Sequence, residues 1–231
     1  MAWHDGEQAP VELAKPGLDV GLYTNNLEAM LLFWQQRMQL SFAEMLPLGG
    51  GARQHRHEIG VSILKINHTR EPTPAGEATG LSALTLYQQD ATETHKLSDP
   101  DQNLVYQAPP LDEANLRLHL TVNNLDRSAA FYGATLGLKE LSHGVFAVGQ
   151  SSIELREGTV GTFERTGLGY RYMTLQVYDV VGCHRQVLQG GGGEGMPPTR
   201  LGDVAHISFV LDPDGNWIEL SQRKSITGSL D

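Results

Sequence analysis

The chain has 231 residues, of which 40% are hydrophobic and 19% are charged, so it can bury one large core or two small ones and is not expected to be disordered. Its 27 acidic residues outnumber 17 basic ones, giving a net charge of -10, which argues against nucleic acid or a membrane surface as partner. The single cysteine, Cys183, cannot form an internal disulfide, and no apolar run reaches the roughly 20 residues of a spanning helix. We therefore expect a cytoplasmic protein.

An internal repeat organises the chain. Leu18 to Leu40 aligns with Leu116 to Leu138 at an offset of 98 residues, and seven of the 23 aligned positions are identical. Each copy begins with an alternating strand, followed by an apolar helix that an asparagine precedes as a candidate cap. Short strand-like runs separated by glycines follow. The repeated unit is therefore predicted to be β, α, β, β, β.

Two further copies follow the same pattern. One lies between Leu81 and Gln107, but only 11 residues separate Tyr87 from Asp99 in it, too few for a helix and two strands. The last begins at Tyr172, where YMTLQVYDV repeats the pattern of RLHLTVNNL at an offset of 55, and it closes with DPDGNWIEL. The chain is therefore predicted to contain four modules, the second of them truncated.

These modules, the segment NLDRSAAFY followed by LGL, and the closing DPDGNWIEL resemble the vicinal oxygen chelate superfamily, which includes glyoxalase I, extradiol dioxygenases and bleomycin resistance proteins. The resemblance covers about residues 18 to 222 and implies an α+β fold, in which paired βαβββ modules form two half-barrel sheet clefts. We expect a reduced N-terminal pair at 16–108 and a complete C-terminal pair at 112–223, whose cleft is the first choice for chemistry. A second subunit would cover the sheet edge left by the truncated module, which predicts a homodimer.

The resemblance also implies that the first and last strands of each module offer metal ligands. Glu154 and Glu219 match two of these positions, whereas Arg117 stands where many relatives have histidine. His119 lies two residues further on the same face of its strand and could replace the missing ligand. Two carboxylates and an imidazole suit Fe, Mn, Ni, Co or Zn. His119, Glu154 and Glu219 are therefore the candidate ligands of a divalent metal.

A metal-free site is the alternative. Arg117 could instead pair with Glu154 or Glu219, because a guanidinium docks well on a carboxylate and would repel a divalent cation. In the N-terminal pair, Lys65 occupies a position that carries glutamate elsewhere, which argues against a metal there. Arg117 and Lys65 are therefore candidates for substrate binding.

Two pairs of side chains complete the candidate site. His55 and His57 alternate with neighbouring residues, so both would lie on one face of a strand and could contact a substrate. Tyr172 and His206 are the catalytic candidates in the C-terminal pair, Tyr172 as a donor to a substrate oxygen and His206 as an acid or base.

Together these features predict a glyoxalase-like or dioxygenase-like enzyme acting on a small oxygenated organic molecule, with lyase, isomerase or ring-cleaving dioxygenase activity. A metal, if bound, would hold two neighbouring substrate oxygens as a Lewis acid. The alternative is a metal-free binding protein of the bleomycin-resistance type, whose cleft encloses a drug or an aromatic ligand.

Overall fold

The computed structural model describes residues 11–161 and 163–230. The first module contains five elements and a π-helical turn, Phe33–Arg37, that continues its helix: β1 (Leu13–Tyr23), α1 (Leu27–Leu32), β2 (Ser41–Gly49), β3 (Ala52–Ile59) and β4 (Ser62–His68). The second module has three strands: β5 (Leu81–Tyr87), β6 (His95–Ser98) and β7 (Leu104–Ala108). Residues 88–94, between β5 and β6, form no helix, so the predicted truncation is confirmed.

The third and fourth modules are complete. The third, whose helix is continued by a π-helical turn at Phe131–Thr135, contains β8 (Leu116–Val122), α2 (Leu125–Ala130), β9 (Glu140–Ser142), β10 (Val145–Val148) and β11 (Ser151–Glu157). The fourth contains β12 (Gly169–Val177), α3 (Val180–Gln189), β13 (Gly193–Leu201), β14 (Ala205–Leu211) and β15 (Trp217–Arg223), followed by α4 (Lys224–Thr227).

Side-chain caps start the helices of these two modules. Asn124 accepts a hydrogen bond of 2.8 Å from the backbone N–H of Arg127 at the start of α2. Asp179 accepts one of 2.9 Å from the N–H of Gly182 at the start of α3. Such caps satisfy backbone donors that the first helical turn leaves unpaired, and they fix where each strand gives way to its helix.

The modules pair one with four and two with three. Sheet A has the order β13-β14-β15-β12-β1-β4-β3-β2, and sheet B the order β6-β7-β5-β8-β11-β10-β9. The expected pairing of modules three and four is therefore wrong. The predicted domain boundary between residues 108 and 112 would cut through sheet B. Only seven residues, 109–115, separate β7 from β8, a connection short enough to keep both strands in one sheet, on either side of β5.

Strand alternation gives each sheet an apolar face and a polar face. In β1, Leu18, Val20 and Leu22 belong to the hydrophobic core, together with Trp34 and Tyr132, the fully buried aromatic residues that follow α1 and α2. The intervening strand residues point to the opposite face. We call these opposite faces cleft A, on sheet A, and cleft B, on sheet B.

Strand β2 lies at an edge of sheet A and exposes three large apolar side chains, Phe42, Met45 and Leu48, which are 41–50% accessible. An edge of this kind invites pairing with another chain, and the homodimer stays a prediction. Within residues 11–161 and 163–230, the helices are too short or too polar to cross a bilayer.

Candidate functional site

Cleft A is closed by an internal ion pair. The Lys65 Nζ atom lies 2.6 Å from Glu219 Oε2 and donates a hydrogen bond of 2.7 Å to Thr174 Oγ1, which in turn donates to Glu219 at 2.7 Å. The side chains of Lys65 and Glu219 are only 2% and 13% exposed. Burial would raise the pKa of Glu219, but the charge and hydrogen bond of Lys65 lower it, so the carboxylate is kept ionised as half of a buried pair.

Tyr172 fills the centre of cleft A. It lies opposite Gly21 in the β1–β12 pairing, and a Cβ atom at Gly21 would be 2.1 Å from the Cζ atom of its ring. Its hydroxyl accepts hydrogen bonds of 3.2 Å from Asn67 and 3.3 Å from Gln54. Burial raises its pKa well above the ordinary value. Tyr172 is thus a packed, protonated side chain.

The structure separates residues that the sequence analysis grouped. Phe209 is paired with Glu219 and lies in cleft A, so His206, three residues earlier on the same strand, points to the opposite face. A shared pocket for Tyr172 and His206 is therefore wrong. His55 lies opposite Ile66 in the β3–β4 pairing, which places it on the core face.

His57 shares the core face of β3 with His55, as the alternation predicted, and this face is opposite to that of Lys65. The Nε2 atom of His57 accepts a hydrogen bond of 3.0 Å from the Gln35 amide. Burial lowers the pKa of His57 to about 4, so the imidazole is neutral at pH 7. His57 thus has a partner within the first module and lies away from both clefts.

Cleft B gathers a different set of charges around Glu154. One carboxylate oxygen, Oε1, accepts a hydrogen bond of 2.9 Å from Arg156 Nε. The other, Oε2, lies 3.3 Å from Arg117 Nη1 and 3.3 Å from His119 Nδ1. The side chains of Glu154 and Arg117 are 20% and 27% exposed, and that of Arg156 is 55% exposed. Cleft B is therefore open to solvent, whereas cleft A is not.

His119 lies behind Glu154. Its Nε2 atom shares a hydrogen bond of 2.7 Å with Thr85 Oγ1, and the Tyr106 ring lies edge-on at 5.6 Å. Burial lowers the pKa of His119 to about 4, against the opposing effect of Glu154. For Glu154, burial would raise the pKa, but Arg156, His119 and Arg117 lower it. At neutral pH the site therefore holds a carboxylate, a neutral imidazole and two guanidinium groups.

A cavity of about 480 Å³ lies beside cleft B and reaches it through Arg117 and Ser152, whereas Glu154, His119 and Arg156 do not line it. Arg117 also donates a hydrogen bond of 3.2 Å to Ser152 Oγ, which fixes its guanidinium at the cavity wall. A cavity of this size accommodates a small organic molecule.

Sequence reasoning missed Thr85, Tyr106 as a neighbour of His119, and Arg156. Arg156 was detectable, because it follows Glu154 by two residues and so shares its face. Thr85 was not, because the truncated second module could not be aligned at its first strand.

The donor sets of the two clefts do not suit a divalent metal. Glu154 and Glu219 lie in different sheets, so the predicted ligand set with His119 does not assemble. Each carboxylate is already engaged by lysine or arginine, which would repel a second cation. Across residues 11–161 and 163–230, no three His, Cys, Asp or Glu side chains are grouped so as to hold a metal.

The architecture is that of proteins built from paired βαβββ modules. The crystal structure of glyoxalase I from Zea mays superposes with a TM-score of 0.78 at 14% identity, covering 95% of this chain and 96% of that one. The cppA protein from Streptococcus pneumoniae TIGR4 gives a TM-score of 0.58 at 10% identity over 91% of this chain and 100% of that one. At these identities the likeness concerns the fold.

Sequence comparison matches the C-terminal half of the chain to a superfamily model. Residues 114–220 match the model of the Glyoxalase/Bleomycin resistance protein/Dioxygenase superfamily. A protein of Vibrio parahaemolyticus serotype O3:K6 (strain RIMD 2210633) described as a probable lactoylglutathione lyase is 29% identical over 132 residues, covering 50% of this chain and 95% of its own. Residues 114–220 thus match this superfamily model, and the resemblance predicted from the sequence is confirmed for that segment.

Proposed function

We propose that this chain is a glyoxalase-like enzyme whose active site is cleft B, where it moves a proton at a carbon beside a carbonyl group. The observation that carries the proposal is the cluster around Glu154: an ionised, partly exposed carboxylate in contact with Arg117, Arg156 and His119. The lyase described for the Vibrio relative supports this reaction class. Cleft A is sealed by Lys65 and Glu219 and offers no comparable access.

Each group in cleft B has a role in such a transfer. Where the carbon beside the carbonyl bears a hydroxyl group, Glu154 accepts its C–H proton to give an enediolate and returns the proton to the adjacent carbon. The hydroxyl proton passes through solvent to the former carbonyl oxygen, so one carbonyl is lost, one is formed, and no external oxidant or reductant is needed. Arg117 and Arg156 stabilise the negative charge that develops on the substrate oxygen. Thr85 orients His119 through a hydrogen bond of 2.7 Å, and His119, whose Nδ1 atom lies 3.3 Å from Glu154 Oε2, acts as a positioning residue behind the carboxylate. These groups supply proton transfer and charge stabilisation, which favours lyase or isomerase chemistry among the predicted reaction types.

A metal-free binding protein is the second candidate, and one observation favours it. The neighbouring Arg156, His119 and Arg117 lower the pKa of Glu154. A carboxylate with a lowered pKa is a weaker base. Cleft B would then hold an oxygenated ligand through its two arginines without transforming it.

The two candidates are separated by proton exchange. The protein is incubated in deuterated buffer with lactoylglutathione, the compound named for the Vibrio relative, whose lactoyl group has a C–H beside a carbonyl. Proton NMR follows loss of this C–H signal, and saturation transfer reports binding. Wild type is compared with Glu154→Gln and with the matched control Glu77→Gln, an exposed glutamate between β4 and β5.

Exchange that is lost in Glu154→Gln and retained in Glu77→Gln is the expected result. Binding without exchange in the wild type would favour the binding protein. Neither binding nor exchange would contradict a lactoyl thioester as the substrate, and exchange that persists in Glu154→Gln would contradict the role of Glu154.

A further inference from the structure

A second concentration of positive charge lies outside both clefts. A cavity of about 390 Å³ opens where the β2–β3 hairpin meets the end of β4 and the start of α1. Four basic side chains line it, and we call it the basic pocket: Arg53, His55, His68 and Arg70. Arg53 lies directly opposite His68 in the β3–β4 pairing, so the two side chains share the face on which His55 lies.

The positive charge of the basic pocket is not balanced by a paired carboxylate among the residues that the structure describes. Among residues 11–161 and 163–230, no carboxylate forms an ion pair with any of its four basic groups, and no acidic residue lines it. By comparison, Arg56 pairs with Glu44 and Lys65 pairs with Glu219. The basic pocket thus differs from cleft A in holding positive charge without a paired carboxylate.

His55 shows the electrostatic consequence. Its pKa is lowered first by burial and then by the nearby His68 and Arg53, as expected for basic groups without an anion between them. The Nε2 atom of His55 is buried and has no hydrogen-bond partner among the described residues. This nitrogen is therefore available to an atom of a ligand that enters the pocket.

We propose that the basic pocket binds a small molecule that carries an oxyanion, either a phosphoryl or a carboxylate group. The planar guanidinium groups of Arg53 and Arg70 match the oxygens of such a group, and the imidazoles add further donors. Leu27 and Pro47 supply an apolar wall for the rest of the molecule. The site is independent of the reaction assigned to cleft B.

The mouth of the pocket is unobstructed. The turn between β2 and β3 consists of Gly49, Gly50 and Gly51, all with positive φ, a conformation that favours glycine over other residues. Arg53 and Arg70 are both exposed. A ligand can therefore approach the arginines from solvent.

The test measures anion binding and its location. Inorganic phosphate, sulfate and acetate are titrated separately at constant ionic strength with chloride as the balancing anion, using calorimetry for affinity and NMR of the histidine ring protons for location. Wild type is compared with Arg53→Gln, Arg70→Gln and the control Arg185→Gln, an exposed arginine on α3.

We expect binding of at least one of these anions, shifts of the His55 and His68 ring signals, and a tenfold or greater loss of affinity in Arg53→Gln and in Arg70→Gln only. Preference for phosphate and sulfate would indicate a phosphoryl ligand, and preference for acetate a carboxylate. Binding with unmoved histidine signals, equal losses in all three variants, or no binding of any anion would overturn the proposal, whatever the outcome for cleft B.

Discussion

The two clefts have the same pattern of strand pairing, but the large and the small side chain are exchanged between the paired strands. In cleft A, Gly21 on β1 lies opposite Tyr172 on β12. At the same register in cleft B, His119 on β8 lies opposite Ala83 on β5. Each cleft thus pairs one ring with one small residue. In cleft A the ring comes from β12, the first strand of module four, and in cleft B it comes from β8, the first strand of module three. The module repeat sets the positions, and the residues at those positions decide which cleft is filled.

The charged positions diverge in the same way. Lys65, beside Gly21 in the β1–β4 pairing, corresponds to Glu154, which lies beside His119 in the β8–β11 pairing. Cleft A uses its lysine to bury a carboxylate, whereas cleft B surrounds its own carboxylate with exposed arginines. Cleft A is therefore part of the stabilising interior, and cleft B remains accessible.

The largest effect is expected when the ion pair of cleft A is broken. Lys65→Met leaves Glu219 buried beside Thr174 without its counter-ion, and we expect a loss of about 3–5 kcal/mol in the free energy of unfolding. Urea denaturation measures this loss. The double variant Lys65→Met, Glu219→Leu removes both charges and should recover most of the stability, and a single variant as stable as the wild type would contradict the structural role of cleft A.

The next effect is a pH dependence that belongs to His119. In the unfolded chain its pKa is near 6.5, and in the folded protein burial lowers it to about 4. Because the unfolded state binds the proton more readily, stability should fall as pH decreases from about 6.5 towards 4, by up to about 3 kcal/mol.

Urea denaturation at several pH values between 4.5 and 7 tests this dependence. His119→Gln should flatten the curve without abolishing it, because His57, with a pKa lowered to about 4, and His55, whose pKa burial also lowers, keep their contributions. Asp99, whose pKa burial raises to about 6, acts in the opposite direction in wild type and variant alike. An unchanged slope in His119→Gln would show that this imidazole is already solvated in the folded state.

These contributions differ in how far the sequence could predict them. The four modules and the missing helix of the second follow from local alternation and repetition, which depend on neighbouring residues alone, and the resemblance to the superfamily implied the inward-facing positions of Glu154 and Glu219. The pairing of modules is a long-range property of the sheets. For that reason the sequence placed Glu154 and Glu219 in one cleft, while the fold places them in two.

A smaller effect is expected from the close contact in cleft A. Gly21→Ala adds a Cβ atom that would lie 2.1 Å from the Tyr172 ring, and overpacking of this kind costs about 1–3 kcal/mol. A double-mutant cycle measures the coupling: in a Tyr172→Ala background, Gly21→Ala should cost less than in the wild type. Equal costs in both backgrounds would mean that the Tyr172 ring moves aside freely.

The smallest effect is expected at Arg117 and separates the two clefts most directly. If Arg117 were the sole partner of Glu154, Arg117→Ala would leave a buried carboxylate unpaired. The loss of stability would then be about as large as that expected for Lys65→Met in cleft A. The structure gives Glu154 two further neighbours, Arg156 and His119, and solvent reaches the pair. Arg117→Ala should therefore cost about 1 kcal/mol or less.

Denaturation midpoints of Arg117→Ala and Lys65→Met, measured under one set of conditions, make the comparison. Equal losses would mean that cleft B is as tightly closed as cleft A, which would remove its claim to be the active site.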